Sequence, residues 1–347
     1  MTTLNPFTAD GFDMVSMTTA INKLPNLYGR LNEMNLFPFE PINTLSVLVE
    51  QRNGTLNIVR SRPRGSAPDK NESDKRTVRS FQVPHFPVQD VLLPGDYQGV
   101  RAFGSATEME TQASIMLQKQ TRMKNTLDQT LEYLRIGALQ GIVYDADATV
   151  IYDLNNEFNI AATTTPETVG SKLTLAFALT TDTTDIRGKC ISVVRHIEKN
   201  LRGENMTGVR CFCGNTFFDN LIAHPQVEKV YLGHLAAVEA LGGDPRKGFR
   251  FGGITFENYA PSWTDHDGAA RLGIAATSGI CFPEGTRDTF STIVAPGNFL
   301  ETANTMGLPY YSRQEPKEFG QGIKVWAEGN WLPICKRPEV CVTVTNT

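Results

Sequence analysis

The chain has 347 residues, a formal net charge of −4, 40% hydrophobic residues and 20% charged residues. That length supports one large or two modest domains with real cores, and the balance is that of a globular chain rather than a disordered one. The small acidic excess gives no global reason for nucleic-acid or anionic-membrane binding, no run reaches the roughly 18–20 apolar residues of a membrane span, and the opening MTTLNPFTADGFDM lacks the basic and apolar regions of a secretory signal.

Residues 1–40 are rich in turn signals (Asn5-Pro6, Pro25-Asn26, Pro38), with one short helical signal from Ser16 to Pro25. An extended segment of this kind is ordered by lying on something else. Thr44 to Val59 and Ser80 to Val88 read as the two strands of a long arm. Between them, Arg60 to Arg79 is almost free of apolar residues. Seven basic residues (Arg60, Arg62, Arg64, Lys70, Lys75, Arg76, Arg79) stand there against three acidic ones, a local excess of +4 in a chain of net −4. A lone hairpin is marginal in water, and a polar tip this long buries too little surface to order itself. The arm therefore calls for a neighbouring subunit to supply its missing contacts.

A turn at Val91–Asp96 and a stretch at Tyr97–Gly104 lead to the strongest helical pattern, Ser105 to Gln140. Ser105 or Thr107 can cap it, and Glu108 and Glu110 suit the positive end of the helix dipole. Met109, Ala113, Met116, Met123, Leu127, Leu131, Leu134 and Ala138 recur at spacings of three, four or seven, interrupted once at Lys119 and Gln120. Such a helix spans about 50 Å, longer than an ordinary domain needs. A hairpin follows, Gly141–Tyr144 and Thr149–Tyr152 around Asp145–Ala148, and then a threonine-rich connector with a strand at Leu173–Leu179.

From Asp185 the pattern alternates: helix Ile186–Leu201, strand Val209–Cys213, helix Asn215–Ala223 ending before Pro225, helix Val230–Leu241, and strands within Phe249–Tyr259 broken at Gly252-Gly253. This is a compact α/β unit. The last hundred residues are strand and turn, closing on Gly322–Glu328 and Val340–Val344.

Chemistry-bearing motifs are sparse. Asp145-Ala146-Asp147-Ala148-Thr149 matches the D-x-D-x-T box of haloacid-dehalogenase-type phosphatases, in which the first aspartate is nucleophile and the second general acid. That chemistry also needs a lysine and an acidic pair for Mg²⁺. The nearest candidates, Asp244 and Lys247, sit in a turn-like GGDPRKG, and the box follows a long helix instead of a first core strand. A hairpin whose aspartates solvate the turn is the simpler reading. The five histidines are scattered without a convergent ligand set, and the six cysteines, Cys211-x-Cys213 included, lack a second pair at zinc spacing. They read as reduced, buried small hydrophobes. No cofactor or metal is expected.

Taken in order, the parts resemble the major capsid protein E family of tailed phages. The resemblance rests on Asn35-Leu36-Phe37, the Thr44–Val59 strands with Arg64-Gly65 at the tip, Pro84-His85, Gly99-Val100-Arg101-Ala102-Phe103-Gly104, and Gly137–Gly141 with the DADAT hairpin. It continues through Cys213–Phe218 with His224-Pro225, Gly252–Phe256, Phe282-Pro283, Ala295-Pro296 and Arg337-Pro338. It implies an α+β chain of the Hong Kong 97-type capsid fold. The implied parts are an N-arm (1–40), an E-loop (41–93), a P-domain (94–180) with spine helix 105–140, an A-domain (181–310), and C-terminal strands (311–347) returning to the P-domain or its junction with the A-domain.

The resemblance also implies a structural role without enzymatic activity: a major capsid protein of the virion, assembled in the bacterial host cytoplasm. Copies would form hexamers and pentamers of an icosahedral head around double-stranded DNA, bound without sequence specificity and without a membrane. Partners would be further copies, a portal protein and a separate scaffold protein, because the stretch before the arm is too short for the scaffolding segment that some relatives carry. A decoration protein is left open. The net negative charge suits an inner wall that does not adhere to DNA. The assembly contacts would be the seven basic residues of the arm tip. The spine would pack through Met109, Met116, Met123, Leu127, Leu131 and Leu134. The alternatives are an encapsulin-like nanocompartment shell enclosing enzyme cargo and, more remotely, a phosphatase using Asp145 and Asp147.

Overall fold

The computed structural model describes residues 14–24, 29–52, 76–96, 112–240, 248–265 and 267–347. Its helices are α1 (Met14–Lys23), α2 (Arg30–Glu33), α3 (Gln112–Gln140), α4 (Leu154–Glu157), α5 (Ile186–Leu201), α6 (Asn215–Ala223) and α7 (Pro225–Ala240). The strands through the middle of the chain are β1 (Phe39–Pro41), β2 (Ser46–Arg52), β3 (Arg76–Gln82), β4 (Phe86–Leu92), β5 (Ile142–Tyr144), β6 (Val150–Asp153), β7 (Ala161–Thr163), β8 (Ser171–Ala176) and β9 (Gly208–Cys213). The remainder are β10 (Phe249–Phe251), β11 (Ile254–Asn258), β12 (Ser262–Thr264), β13 (Ala270–Leu272), β14 (Ser278–Glu284), β15 (Phe290–Val294), β16 (Tyr311–Pro316), β17 (Ile323–Gly329), β18 (Trp331–Cys335) and β19 (Val342–Thr345).

Local signals place several boundaries. Asp185 starts α5 by accepting the Gly188 N–H at 2.9 Å, and Arg202 ends it in a left-handed conformation with φ 52°. Two expected boundaries shift for reasons that proline explains. The strand-like run Ser80–Val88 splits into β3 and β4 around Pro84, which has no N–H for a ladder. Pro225 opens α7 instead of merely ending α6, because the first helical turn has no use for the missing N–H.

A seven-stranded mixed sheet runs in the order β10-β11-β9-β14-β19-β8-β7. The C-terminal strand β19 sits inside it, antiparallel to β14 and parallel to β8. The expected boundary at 180 therefore does not hold as a division of sheets, since β7 and β8 precede it and β19 comes from the last residues. Within the span 181–310, β15 pairs instead with β1 and β18. Burial alternates along β19: Val342 and Val344 are fully buried, so one face of this strand packs on the core while Thr343 and Thr345 on the other are half-buried. A second sheet, β16-β17-β4, is antiparallel, and β2-β3, β5-β6 and β12-β13 are hairpins.

Helix α3 joins two cores. Ile115, Met116, Met123, Leu127 and Leu131 lie in a cluster with Met17 and Ile21 of α1, Leu92, Tyr310, Val325 and Trp331. One turn further on, Leu134, Ile136, Ala138 and Leu139 belong to the core of the seven-stranded sheet. The helix spans about 43 Å over its described length. At its end β5 comes so close that a Cβ on Gly137 would meet the Ile142 carbonyl oxygen at 2.7 Å. The Lys172 ammonium binds the last carbonyl, Gln140 O, placing a cation at the negative end of the helix.

Beside its apolar stripe, α3 carries a buried polar one. Gln120, Lys124, Asp128, Glu132 and Arg135 are each at most 4% exposed. Lys124 Nζ pairs with Asp128 Oδ2 at 3.0 Å and lies 4.8 Å from the centre of the Tyr310 ring, whose hydroxyl donates to Asp128 Oδ1. Glu132 Oε1 accepts the Leu31 N–H at 2.8 Å and the Tyr259 hydroxyl at 3.0 Å. Arg135 donates to Asn32 Oδ1, to the Phe37 carbonyl and to Thr292 Oγ1. Segments far apart in sequence are thus tied to one helix by groups that would be left charged and unpaired if they moved away.

Two outcomes are expected. Asp128→Ala strands a buried ammonium and lowers unfolding stability by about 3–5 kcal/mol, whereas replacing Lys124 and Asp128 together by Met and Leu recovers most of the loss; urea unfolding of the purified subunit reads both. Burial pushes the Glu132 carboxyl above its ordinary value, outweighing the Leu31 N–H, Arg135 and Tyr259. The folded chain then binds this proton more tightly than the unfolded one, so the stabilisation is complete below the ordinary carboxylate value and is lost as pH rises through the raised one. Glu132→Gln keeps the Oε1 acceptor and removes the charge, so unfolding midpoints between pH 4 and pH 8 fall less in the variant than in the parent.

Candidate assembly surface

The β2-β3 hairpin is the described base of the arm. Its register sets Leu48 opposite Ser80, Val49 opposite Arg79 and Glu50 opposite Val78. Strand alternation sends Val47, Val49, Arg79 and Phe81 toward the body and leaves Leu48 (66% exposed) and Val78 (52%) on the outer face, with Leu45 (66%) at the foot. The outer face thus carries Leu48 and Val78 uncovered among exposed polar residues such as Ser46, Ser80 and Gln82, while the inner face is anchored.

The anchor is specific. Phe81, 1% exposed, meets the Tyr152 ring edge-on at 5.3 Å and the Phe158 ring at 5.9 Å. The Gln82 N–H donates to the Tyr152 hydroxyl at 2.8 Å, and that hydroxyl donates back to the Gln82 carbonyl at 2.9 Å. Arg79 lies over Phe158 at 5.6 Å, 3.7 Å from Glu157. Where β3 passes into β4, His85 Nδ1 lies 2.7 Å from Asn330 Oδ1 and its Nε2 lies 3.9 Å from Glu328 Oε2. The Glu328 carboxylate, 1% exposed, accepts from Asn298 N, Asn330 Nδ2 and Trp326 Nε1.

Of the seven basic residues read as the arm tip, Arg60, Arg62, Arg64, Lys70 and Lys75 lie outside the described residues. Arg76 opens β3. Arg79 belongs to the anchored stem and is engaged by its own chain, so it is not a free tip charge. Of the spine residues, Met109 lies outside the described residues, and Met116, Met123, Leu127, Leu131 and Leu134 are all buried. Sequence reading missed the polar stripe of α3. Gln120, Lys124, Asp128 and Glu132 do repeat every four residues next to the apolar stripe, a spacing that a solvent-facing row of charges shares.

The D-x-D-x-T box forms the β5-β6 turn. Asp145 Oδ1 accepts the Ala146 N–H at 2.7 Å, and Asp147 Oδ1 accepts the Thr149 N–H at 2.8 Å and hydroxyl at 2.7 Å. The Thr149 hydrogen bonds hold the Asp147 carboxyl below its ordinary value, the wrong direction for a general acid at neutral pH. Among the described residues no group of three His, Cys, Asp or Glu side chains could hold a metal ion, and Asp244 and Lys247 lie outside them. His196 and His224 bind backbone groups, as core histidines do. The six cysteines are free and buried. No helix among the described residues is long and apolar enough to cross a membrane.

Comparison with known proteins agrees with a shell subunit. The major capsid protein of Pseudomonas phage KPP10 is 27% identical over 97% of both chains, and that of Salmonella phage Felix O1 is 26% identical over 96% of both. Among solved structures, a prophage capsid protein of E. coli CFT073 superposes with a TM-score of 0.58 at 12% identity, covering 97% of this chain and 99% of that one. The capsid protein of the native GTA particle gives 0.55 at 7% identity over 99% of both, and that of the mature bacteriophage PhiM1 capsid 0.51 at 14% identity over 93% and 87%. The fold is therefore the α+β Hong Kong 97-type capsid fold. The model of the phage major capsid protein E family matches residues 13–346, and the chain belongs to that family.

Proposed function

We propose that this chain, a phage major capsid protein, builds an icosahedral head from hexamers and pentamers that encloses double-stranded DNA without reading its sequence. The observation that carries this reading is the contrast between body and arm. The body packs two buried cores and exposes apolar side chains at scattered points such as Leu300 and Phe319, whereas the arm presents Leu45, Leu48 and Val78 to solvent along one hairpin that leads into a basic segment. Apolar strand faces of this kind find their cover in another subunit. Stability then becomes a property of the assembly as much as of the fold. Further partners in this reading are a scaffold protein, a portal protein and, where one is made, a decoration protein. Assembly takes place in the host cytoplasm, and the finished protein resides in the virion. The role in this reading is structural.

Purified protein co-expressed with a scaffold is expected to form closed shells in electron micrographs; a soluble monomer under those conditions would falsify the reading. Shells that carry one enriched enzyme and no portal would point to a nanocompartment instead. Foot and tip of the arm should separate experimentally. Phe81→Ala removes a buried ring and lowers subunit stability by about 3–5 kcal/mol. Replacing Arg60, Arg62 and Arg64 together by Ala leaves the subunit's melting temperature within about 2 °C and reduces shell yield. Normal shell yield from the triple variant would show the tip to be a solvated loop.

A further inference from the structure

Residues 164–170 join β7, the last strand of the seven-stranded sheet, to its parallel neighbour β8. The segment buries little apolar surface: Thr164, Thr165 and Glu167 are exposed, and so is Val169. Hydrogen bonds hold it instead. Thr168 Oγ1 donates to the Thr165 carbonyl at 2.9 Å, and the Thr165 N–H donates to Thr163 Oγ1 at 3.1 Å. Two fully buried side chains on one face of α5, His196 and Asn200, tie the segment to the body. Asn200 Oδ1 accepts the Gly170 N–H at 2.8 Å, and its Nδ2 donates to the Thr168 carbonyl at 3.3 Å. His196 Nδ1 accepts the Glu167 N–H at 3.1 Å. Glu167 is held there at φ 64°, a left-handed conformation that its side chain disfavours.

These bonds fix the protonation of the ring. A backbone N–H can only donate, so Nδ1 carries no proton. The Ser171 carbonyl, 3.1 Å from Nε2, can only accept, so Nε2 carries one. The imidazole is therefore neutral while the loop is closed. A second proton has one place to go, Nδ1, where it meets the Glu167 N–H donor to donor and puts a charge in a site closed to water. The charged groups that face the ring compensate little. Lys199 on α5 is itself a cation, and the side chain of Glu167 is exposed. Glu339 approaches the ring through its backbone from the turn Pro338–Val340, and its carboxylate lies 3.6 Å from Arg202. Burial accordingly pushes the His196 imidazole below its ordinary value.

We propose that His196 is a proton-operated latch: in acid, a proton on Nδ1 displaces the Glu167 N–H, frees residues 164–170 from α5 and loosens the edge strand β7 that they tether. Opening lets water reach the charged ring and costs little burial, since most of the loop is already exposed. The sign follows from the geometry. The closed loop excludes the second proton, so closure is complete above the ordinary imidazole range, about pH 6.5, and is lost as pH falls through the lowered value. The latch lies within one subunit and operates whether or not shells form.

Amide exchange of the purified full-length subunit, with rates corrected for the intrinsic effect of pH, tests it. In the parent, protection of residues 164–170 is expected to fall at least tenfold between pH 7.5 and pH 4.5, while that of Ile186–Leu201 holds. His196→Asn keeps an acceptor near the Nδ1 position and takes up no proton, so its loop should stay protected at both pH values. Glu167 and Glu339 remain in that variant, so a loss caused by their protonation would appear in both chains. His196→Leu removes the acceptor and should leave the loop open at both pH values in a chain that still melts cooperatively. Loop protection independent of pH in the parent, an acid loss spread equally over α5, or an acid loss that His196→Asn shares overturns the proposal. The parent's own profile decides the matter if neither variant folds.

Discussion

The buried polar stripe of α3 is the constraint on which the rest depends. A helix with a single apolar stripe could slide or roll against its sheets at little cost. A helix that also buries Lys124, Asp128, Glu132 and Arg135 cannot, because each charge has its partner at one position alone. Tyr310 comes from the segment before β16, Tyr259 from the residue just after β11 of the large sheet, and Leu31, Asn32 and Phe37 from the segment after α1. Through these contacts the long helix fixes the relative placement of two cores and of the N-terminal segment. Buried ionic groups contribute less to net stability than well-packed apolar ones, and register is their best-attested use. A shell subunit needs register, since errors of a few ångströms repeat in every copy.

Stiffness in the body contrasts with incompleteness in the arm. Phe81, Tyr152 and the Gln82 hydrogen bonds hold the foot of β2-β3 to the body. Beyond the foot, the inner face continues through Arg79 over Phe158, and the outer face has Leu48 and Val78 in solvent. The hairpin is a lever with a fixed fulcrum and an unmatched surface.

Much of this was legible in the sequence where the determinants are local. The helix Ile186–Leu201 announces itself through its apolar spacing and the Gly203 that follows it, and the β5-β6 hairpin through its apolar-polar-apolar pattern. The arm was readable because a long basic stretch between two strand-like runs has no way to bury itself. Other features were hidden for physical reasons. The place of β19 between β14 and β8 depends on pairing across more than sixty residues and more than a hundred and sixty residues, respectively, which no local pattern encodes. The charges of α3 were hidden by their type: a lysine or glutamate in a helix ordinarily marks the solvent face, and their burial follows from partners supplied by remote segments. Arg79 was misassigned to the tip because charge was read without strand alternation, which turns it toward Phe158. Pro84 and Pro225 were visible but needed structural context to be read as a strand break and a helix start.

The central claim is that the body is complete within one subunit while the arm is completed by a neighbour. Amide hydrogen exchange, compared between unassembled subunits and finished shells, tests it most directly. Amides of Gln112–Gln140 should be strongly protected in both states, and those of Ser46–Arg52 and Arg76–Gln82 should gain at least tenfold protection on assembly. Arm amides already fully protected in the free subunit, or helix amides that become protected after assembly alone, would contradict the account.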